Sequence, residues 1–402
     1  MSPSVSKKIY KLYSKKVWIL TFITFIFISR KTIFNVTREV GTYTVTIDRG
    51  SSLALIGIFA ASLLIMQNTS KINKITPRIF PFLGYYIFAT LSFIWAGNMG
   101  TILFKGIEVI CSFMVICLTL YTIRSPRLAL LYIIYLATTS TCIDVSSKWI
   151  KYGFGFYHTN AYTMTAMIAL LLIWGGIRNK ILSFKDMKLL FTINAFMLIA
   201  GTSSASYISF IIGIIILFST KSRKGINLGI TFLICFILYG IYYYYQDVVF
   251  DLIFHGRSTE KIENGSGRKA IWEAAFKLWE QSPIIGNGFL VGERQIVHYI
   301  GLAVISAHNS FISILVNTGV VGISIFMIFI FKWFHKVYHY LKTNRYACVL
   351  LPAMTATIVN CNAFPAIGSD WNYVAPSVYA LIAFVFINLT KYENNMGNPK
   401  LS

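Results

Sequence analysis

The sequence predicts an all-α polytopic membrane protein with about 12 transmembrane helices and one large extracytoplasmic loop containing short amphipathic helices. Three observations carry this reading. Of 402 residues, 56% are hydrophobic and only 12% charged, whereas soluble domains carry roughly 25% charged residues. The apolar residues fall in windows approaching the roughly 20 residues a helix needs to cross a hydrocarbon core, and the windows are apolar all round rather than alternating, which excludes lipid-facing strands. The formal net charge of +22 is divided into short runs between apolar windows, so it marks topology and not a nucleic-acid surface.

Taken in order, the first apolar run, 17–29, has a basic approach but no small-residue cleavage site after it, and reads as a retained helix. Placing the N-terminus in the cytoplasm puts Lys7, Lys8, Lys11, Lys15 and Lys16 inside. Alternate loops repeat the bias with Lys71, Lys74 and Arg78; Arg124 and Arg127; Arg178, Lys180, Lys185 and Lys188; Lys221, Arg223 and Lys224; Lys332, Lys336, Lys342 and Arg345; and Lys391. Both termini are then cytoplasmic, in a multi-pass protein of the cytoplasmic (inner) membrane. The expected spans lie near 17–29, 51–67, 79–96, 101–123, 128–143, 159–177, 188–200, 207–220, 226–245, 309–331, 346–363 and 372–390. Residues 1–245 carry nine of them, 246–307 form the large outward loop, and 308–402 carry the last three and the tail.

Between the spans, Thr42 to Ile47 alternates as a short strand would, and Gly97-Asn98-Met99-Gly100 makes a tight turn. In the fourth span Lys105 and Glu108 share a helix face, as a functional intramembrane pair or as an ion pair near the outer end that neutralises itself. The outward loop after the fifth span holds Lys148, Lys151 and alternating glycine and aromatic residues, then His158 and Asn160, which offer contacts to a polar ligand or to each other. Gly201 to Ser206, rich in small hydroxyl residues, permits close helix approach and also offers donors to an anion through Ser203 and Ser204. Six cysteines lack metal-type spacing and read as packing residues. His335 and His339 have the i, i+4 spacing of metal ligands but stand among lysines that repel a cation, so no metal and no cofactor are expected.

The loop 246–307 differs from the rest, with seven of the chain's fourteen acidic residues against six basic ones. Its charge is balanced, as a translocated aqueous segment would be. Ile271, Trp272, Ala275, Phe276 and Trp279 recur at helical spacing, predicting an amphipathic helix over 269–281 that is stopped by Pro283. Arg268 stands at its first turn, where a guanidinium fork beside free N–H groups suits a phosphate; it equally suits pairing with Glu263 or Glu273. Gly286-Asn287-Gly288 is a turn allowing close backbone approach. His308 sits at the outer end of the tenth span, where a histidine of ordinary pKa about 6.5 suits abstraction of a hydroxyl proton or an interfacial hydrogen bond. Asn309 orients it or binds a hydroxyl, while Gly319 and Gly322 share a helix face and permit close packing.

Arg268 with Trp272, the Pro283 to Gly288 turn, and His308-Asn309 followed by Gly319 and Gly322 resemble the bacterial O-antigen polymerase and O-antigen ligase family. The resemblance covers 267–322. It implies metal-independent glycosyl transfer on the outer membrane face, with an undecaprenyl-diphosphate-linked oligosaccharide as donor and a second one as acceptor. The lipid bilayer and a chain-length regulator are further implied partners for making O-antigen or capsular polysaccharide. Arg268 would stabilise the leaving diphosphate and His308 would deprotonate the acceptor hydroxyl in a single inverting displacement. Members commonly carry an arginine in the small-residue stretch before the eighth span, and Gly201 to Ser206 has none. Arg257, Lys269, Arg294, Lys151 or the Ser203 and Ser204 hydroxyls would then supply the second phosphate contact. A ligase, acting on lipid A-core or protein, shares these motifs; a transporter would show internal repeats and charge across several midplanes, which are not found here.

Overall fold

The computed structural model describes residues 15–33, 49–123, 125–153, 155, 160–221, 225–226, 268–296, 298, 306–369 and 372–389. Twelve helices run through them: α1 Lys15–Ile33, α2 Arg49–Gln67, α3 Thr69–Leu91, α4 Met99–Thr122, α5 Pro126–Tyr152, α6 Asn160–Arg178, α7 Phe184–Ala200, α8 Ser204–Ser219, α9 Arg268–Trp279, α10 Ser310–Tyr340, α11 Arg345–Asn360 and α12 Ala375–Phe384. A 3-10 turn, Ser92–Ile94, extends α3; another, Glu293–Ile296, follows α9; a π turn, Val385–Leu389, extends α12. Eleven of the twelve expected spans fall on these helices, with α9 the amphipathic helix of the loop. The ninth span, the strand-like 42–47 and most of the outward loop lie outside the described residues. Five helices are long and apolar enough to cross a membrane, Thr69–Ile94, Met99–Thr122, Pro126–Ile150, Asn160–Arg178 and Ser310–Tyr340.

Helix ends differ from expectation in three places. Residues 69–78, read as a loop with Lys71, Lys74 and Arg78, form the first turns of α3, which runs on through Pro77 and Pro81. Residues 144–152 extend α5, so Lys148 lies on a helix and chelates buried Asp144 one turn back, with Nζ 2.8 Å from both carboxylate oxygens. Residues 332–340 extend α10 in the same way. Apolar windows mark where a helix meets hydrocarbon, but a helix continues into water wherever its charged side chains can reach out or pair. A two-stranded antiparallel ribbon, Thr220–Lys221 with Gly225–Ile226, is the one departure from all-α among the described residues.

The interior is aromatic and hydroxyl-rich. Phe82 of α3 packs on Phe113 of α4 and Phe329 of α10, with centroids 4.5 and 4.8 Å away, and Trp333 is fully buried. Between helices that lipid solvates as well as protein does, polar pairs add directed attraction, about 0.6 kcal/mol each. Here they join Thr141 to Thr165 across α5 and α6, and Asn194 to Thr138 across α7 and α5, each at 2.8 Å. Lys105 and Glu108 form the expected buried ion pair at 3.3 Å.

The two ends of α6 differ in character. At its C-terminus the Arg178 guanidinium donates to the Leu217 and Phe218 carbonyls, 2.8 and 3.0 Å away, and so caps α8. Arg345 reaches Asn179 O nearby. At its N-terminus Asn160 donates to Ala363 O in the turn after α11, and that same turn receives the first residue of α10.

Candidate functional site

The site is built on a break in α10. Gly319 takes φ 63°, ψ −166°, a conformation essentially reserved for glycine, and the helix separates into 310–318 and 320–340. In an unbroken helix Val320 and Val321 would donate to the carbonyls of Val316 and Asn317. They donate instead to Pro283 O (2.9 Å) and Ile284 O (3.1 Å), while the freed Val316 and Asn317 carbonyls accept from the amides of Asn287 and Gly288, both at 2.9 Å. The Pro283 to Gly288 turn is thus inserted into the helix's own hydrogen-bond ladder, and these four backbone groups each find a partner. Gly286, at φ 74°, makes this approach possible: a Cβ there would lie 2.4 Å from Thr318 N, and one on Gly319 would lie 2.3 Å from Ile284 O. The expectation that Gly319 serves ordinary helix packing is corrected accordingly. The two glycine motifs are opposite sides of one junction.

α9 lies on the 310–318 half-helix. It buries Ile271, Ala274, Ala275 and Leu278 against Ile296, Ala307 and Val316, with Trp272 and Trp279 at the edges. The buried stripe is therefore rotated from the aromatic one read in the sequence, and Phe276 is exposed, because two alanines let the helices approach where two large rings would hold them apart. Below them Glu293, 4% exposed, accepts from the Ser313 hydroxyl at 2.6 Å while its amide donates to Asn317 Oδ1 at 2.9 Å. The sequence counted Glu293 only among the acids of a water-filled loop; nothing local marks a carboxylate whose partners lie twenty residues on.

His308 stands at the tip of this half-helix with φ 52°, an uncommon backbone state for a residue with a Cβ. Its side chain remains accessible to solvent. Partial burial, and after it the Arg268 guanidinium, lower its pKa from the ordinary 6.5. Arg268, the first residue of α9, and His308, two residues before α10, are therefore electrostatic neighbours. The indole N–H of Trp272, one turn after Arg268, donates to the carbonyl of Ala307 at 3.0 Å.

Of the other residues singled out in the sequence, Asn309 is an N-cap, 7% exposed, whose side-chain oxygen accepts from Phe311 N (2.9 Å) and Ile312 N (3.2 Å). Lys269 is exposed on α9, and Arg294 is half-buried on the 3-10 turn beneath it. Ser203 is fully buried and donates to Asn160 Oδ1 at 2.6 Å, and Ser204 is 9% exposed. They belong to a polar seam in which Ser206 meets Thr163 and Asn360. The seam reaches the same end of the bundle as His308, because the turn after α11 accepts from Asn160 at Ala363 and from Ser310 at Cys361 and Phe364. It is packed protein, as the close-approach reading expects. His158 and Arg257, and the side chain of Lys151, lie outside the described residues. Among the described residues no group of three or more His, Cys, Asp or Glu is placed to hold a metal ion; His335 stacks on Phe331, and His339 meets Tyr340 edge-on.

Five described helices are long and apolar enough to cross a membrane, and at one end of the bundle Arg268 bears electrostatically on His308. Residues 189–327, about a third of the chain, match the family model described as O-antigen ligase, and this supports a likeness to the O-antigen ligase and polymerase family. The match runs from within α7 to beyond Gly322. It takes in Arg268, the Pro283 to Gly288 turn and His308, and leaves His158 and Asn160 outside. No curated protein matches the chain. The family and the apolar helices support a multi-pass inner-membrane protein with a glycan-transfer function.

Proposed function

We propose that the chain is a membrane glycosyltransferase that polymerises oligosaccharide repeat units carried on undecaprenyl diphosphate, producing O-antigen or capsular polysaccharide on the outer face of the inner membrane. The observation that carries the reading is the pairing of Arg268 and His308. Partial burial, and after it the positive charge of Arg268, favour the neutral imidazole, which is the form able to accept a proton. In the proposed step the acceptor hydroxyl loses its proton to the His308 ring as its oxygen attacks the anomeric carbon. The bond to the diphosphate breaks, and Arg268 stabilises the negative charge on the departing group. The configuration inverts in one displacement. Arg294 and Lys269 are the described cations from which a second phosphate contact is drawn.

Ligation to lipid A-core or protein is the alternative acceptor for the same chemistry. A strain lacking the chain distinguishes the two. A single repeat unit on the lipid A-core identifies a polymerase, whereas full-length polymer retained on its lipid carrier identifies a ligase. Unaltered surface polysaccharide contradicts both.

A further inference from the structure

Building on the reading of His308 as the proton acceptor, we infer that Trp272 is a positioning residue, whose indole N–H, bound to the Ala307 carbonyl, sets the spacing between the imidazole and the guanidinium. Trp272 and Arg268 are four residues apart on α9 and project from one face. Arg268 bears electrostatically on the His308 ring, while the indole grips the backbone immediately before it, 3.0 Å from a carbonyl whose residue is fully buried. Without that donor a buried acceptor loses its partner.

The backbone of His308 explains why such a grip is needed. A left-handed φ on a residue with a Cβ persists only where the surroundings over-determine it. The following side is held by the Asn309 cap and by Ser310 N donating to Cys361 O at 2.8 Å. On the preceding side the His308 amide donates to Ser306 Oγ at 3.1 Å, and Trp272 supplies the bond to α9. Trp279 is an internal control, since it also donates its indole N–H to a carbonyl, but to Pro283 in the inserted turn.

Arg268 is the charged group of α9 that acts on the ring. The 3-10 turn packed against α9 brings Glu293 and Arg294, the described part of the 361–369 turn brings Cys361, and α10 brings no charged group before Lys332. Loosening the Trp272 grip therefore lets the ring gain water and lets Arg268 move away, and both raise the histidine pKa.

The test uses the full chain in lipid nanodiscs. Diethyl pyrocarbonate, which acylates the neutral imidazole, is reacted with it across pH 5 to 8 and modification at His308 is read by peptide mass spectrometry, alongside transfer kinetics. Trp272→Phe is expected to move the midpoint upward toward that of an ordinary histidine, as Arg268→Gln does, and to lower kcat about tenfold with little change in KM. Trp279→Phe should leave the midpoint in place. If Trp272→Phe does not fold, Trp272→His, which keeps an N–H donor, carries the test and should hold the midpoint near the wild-type value. A midpoint in Trp272→Phe equal to wild type, while Arg268→Gln moves it, overturns the inference and leaves the proposed function intact. An unmoved midpoint in Arg268→Gln overturns the pairing itself and the proposed mechanism with it.

Discussion

His308 acts through what stands beside it. Because burial and Arg268 both oppose its protonation, it is neutral at physiological pH and the acidic limb of a transfer rate profile should fall below pH 6.5. Removing the positive charge with Arg268→Gln relieves the repulsion felt by the imidazolium, so the limb moves to higher pH; kcat measured from pH 5 to 8 checks the direction. His308→Gln should lower transfer by about 10²- to 10⁴-fold, the usual worth of a general base, and leave the thermal midpoint of the purified protein unchanged. Arg268→Lys should retain more activity than Arg268→Ala, since the charge survives and the two-pronged geometry does not. At this scale much was legible, because histidine and arginine announce their chemistry by type. Asn309 was read as orienting His308 or binding a hydroxyl; that its oxygen caps α10 was not read, although an asparagine ahead of an apolar run is an N-cap signal. Asn309→Ala is expected to cost about 1 kcal/mol. Glu293 and Ser313 were not legible, because their meeting depends on how a turn folds back onto α10.

The inserted turn makes the strongest prediction at the level of elements. Gly319→Ala would place a Cβ 2.3 Å from Ile284 O in a backbone state closed to alanine, and Gly286→Ala would collide with the backbone of Thr318 and Gly319. Each is expected to destabilise the chain by more than about 2 kcal/mol, read as a lowered melting temperature in detergent. Gly97→Ala, in open space, is the matched control and should be silent. The motifs that make this junction stood out in the sequence, yet its form did not. Spacing in sequence shows that Gly319 and Gly322 share a turn of helix, but not that the hydrogen bonds lost at Gly319 are made good by Pro283, Ile284, Asn287 and Gly288. The helix ends were misread for a similar reason. Lys148 reads as loop until Asp144 is seen to hold it, and Lys71, Lys74 and Arg78 read as loop because hydropathy registers contact with hydrocarbon and not hydrogen-bonded backbone.

Across the whole molecule, the basic residues Arg178 and Arg345 gather at one end of α6, and the connection from Asn160 through Ala363 to Ser310 marks the other as the end bearing His308. Apolar windows and basic loops carried this plan in the sequence, since the bilayer imposes it through length and charge. If the basic end is cytoplasmic, a cysteine introduced at exposed Lys269 should react with a membrane-impermeant maleimide from outside intact cells, and one at exposed Lys185 should react only after lysis. The central claim is that this chain itself transfers a glycan from lipid diphosphate, with His308 accepting the proton. It is tested most directly by supplying the purified chain in nanodiscs with an undecaprenyl-diphosphate-linked oligosaccharide and following lengthened lipid-linked product and released undecaprenyl diphosphate. Wild-type protein should yield both in equal amounts and folded His308→Gln should yield almost none; equal turnover by the two proteins would contradict the account.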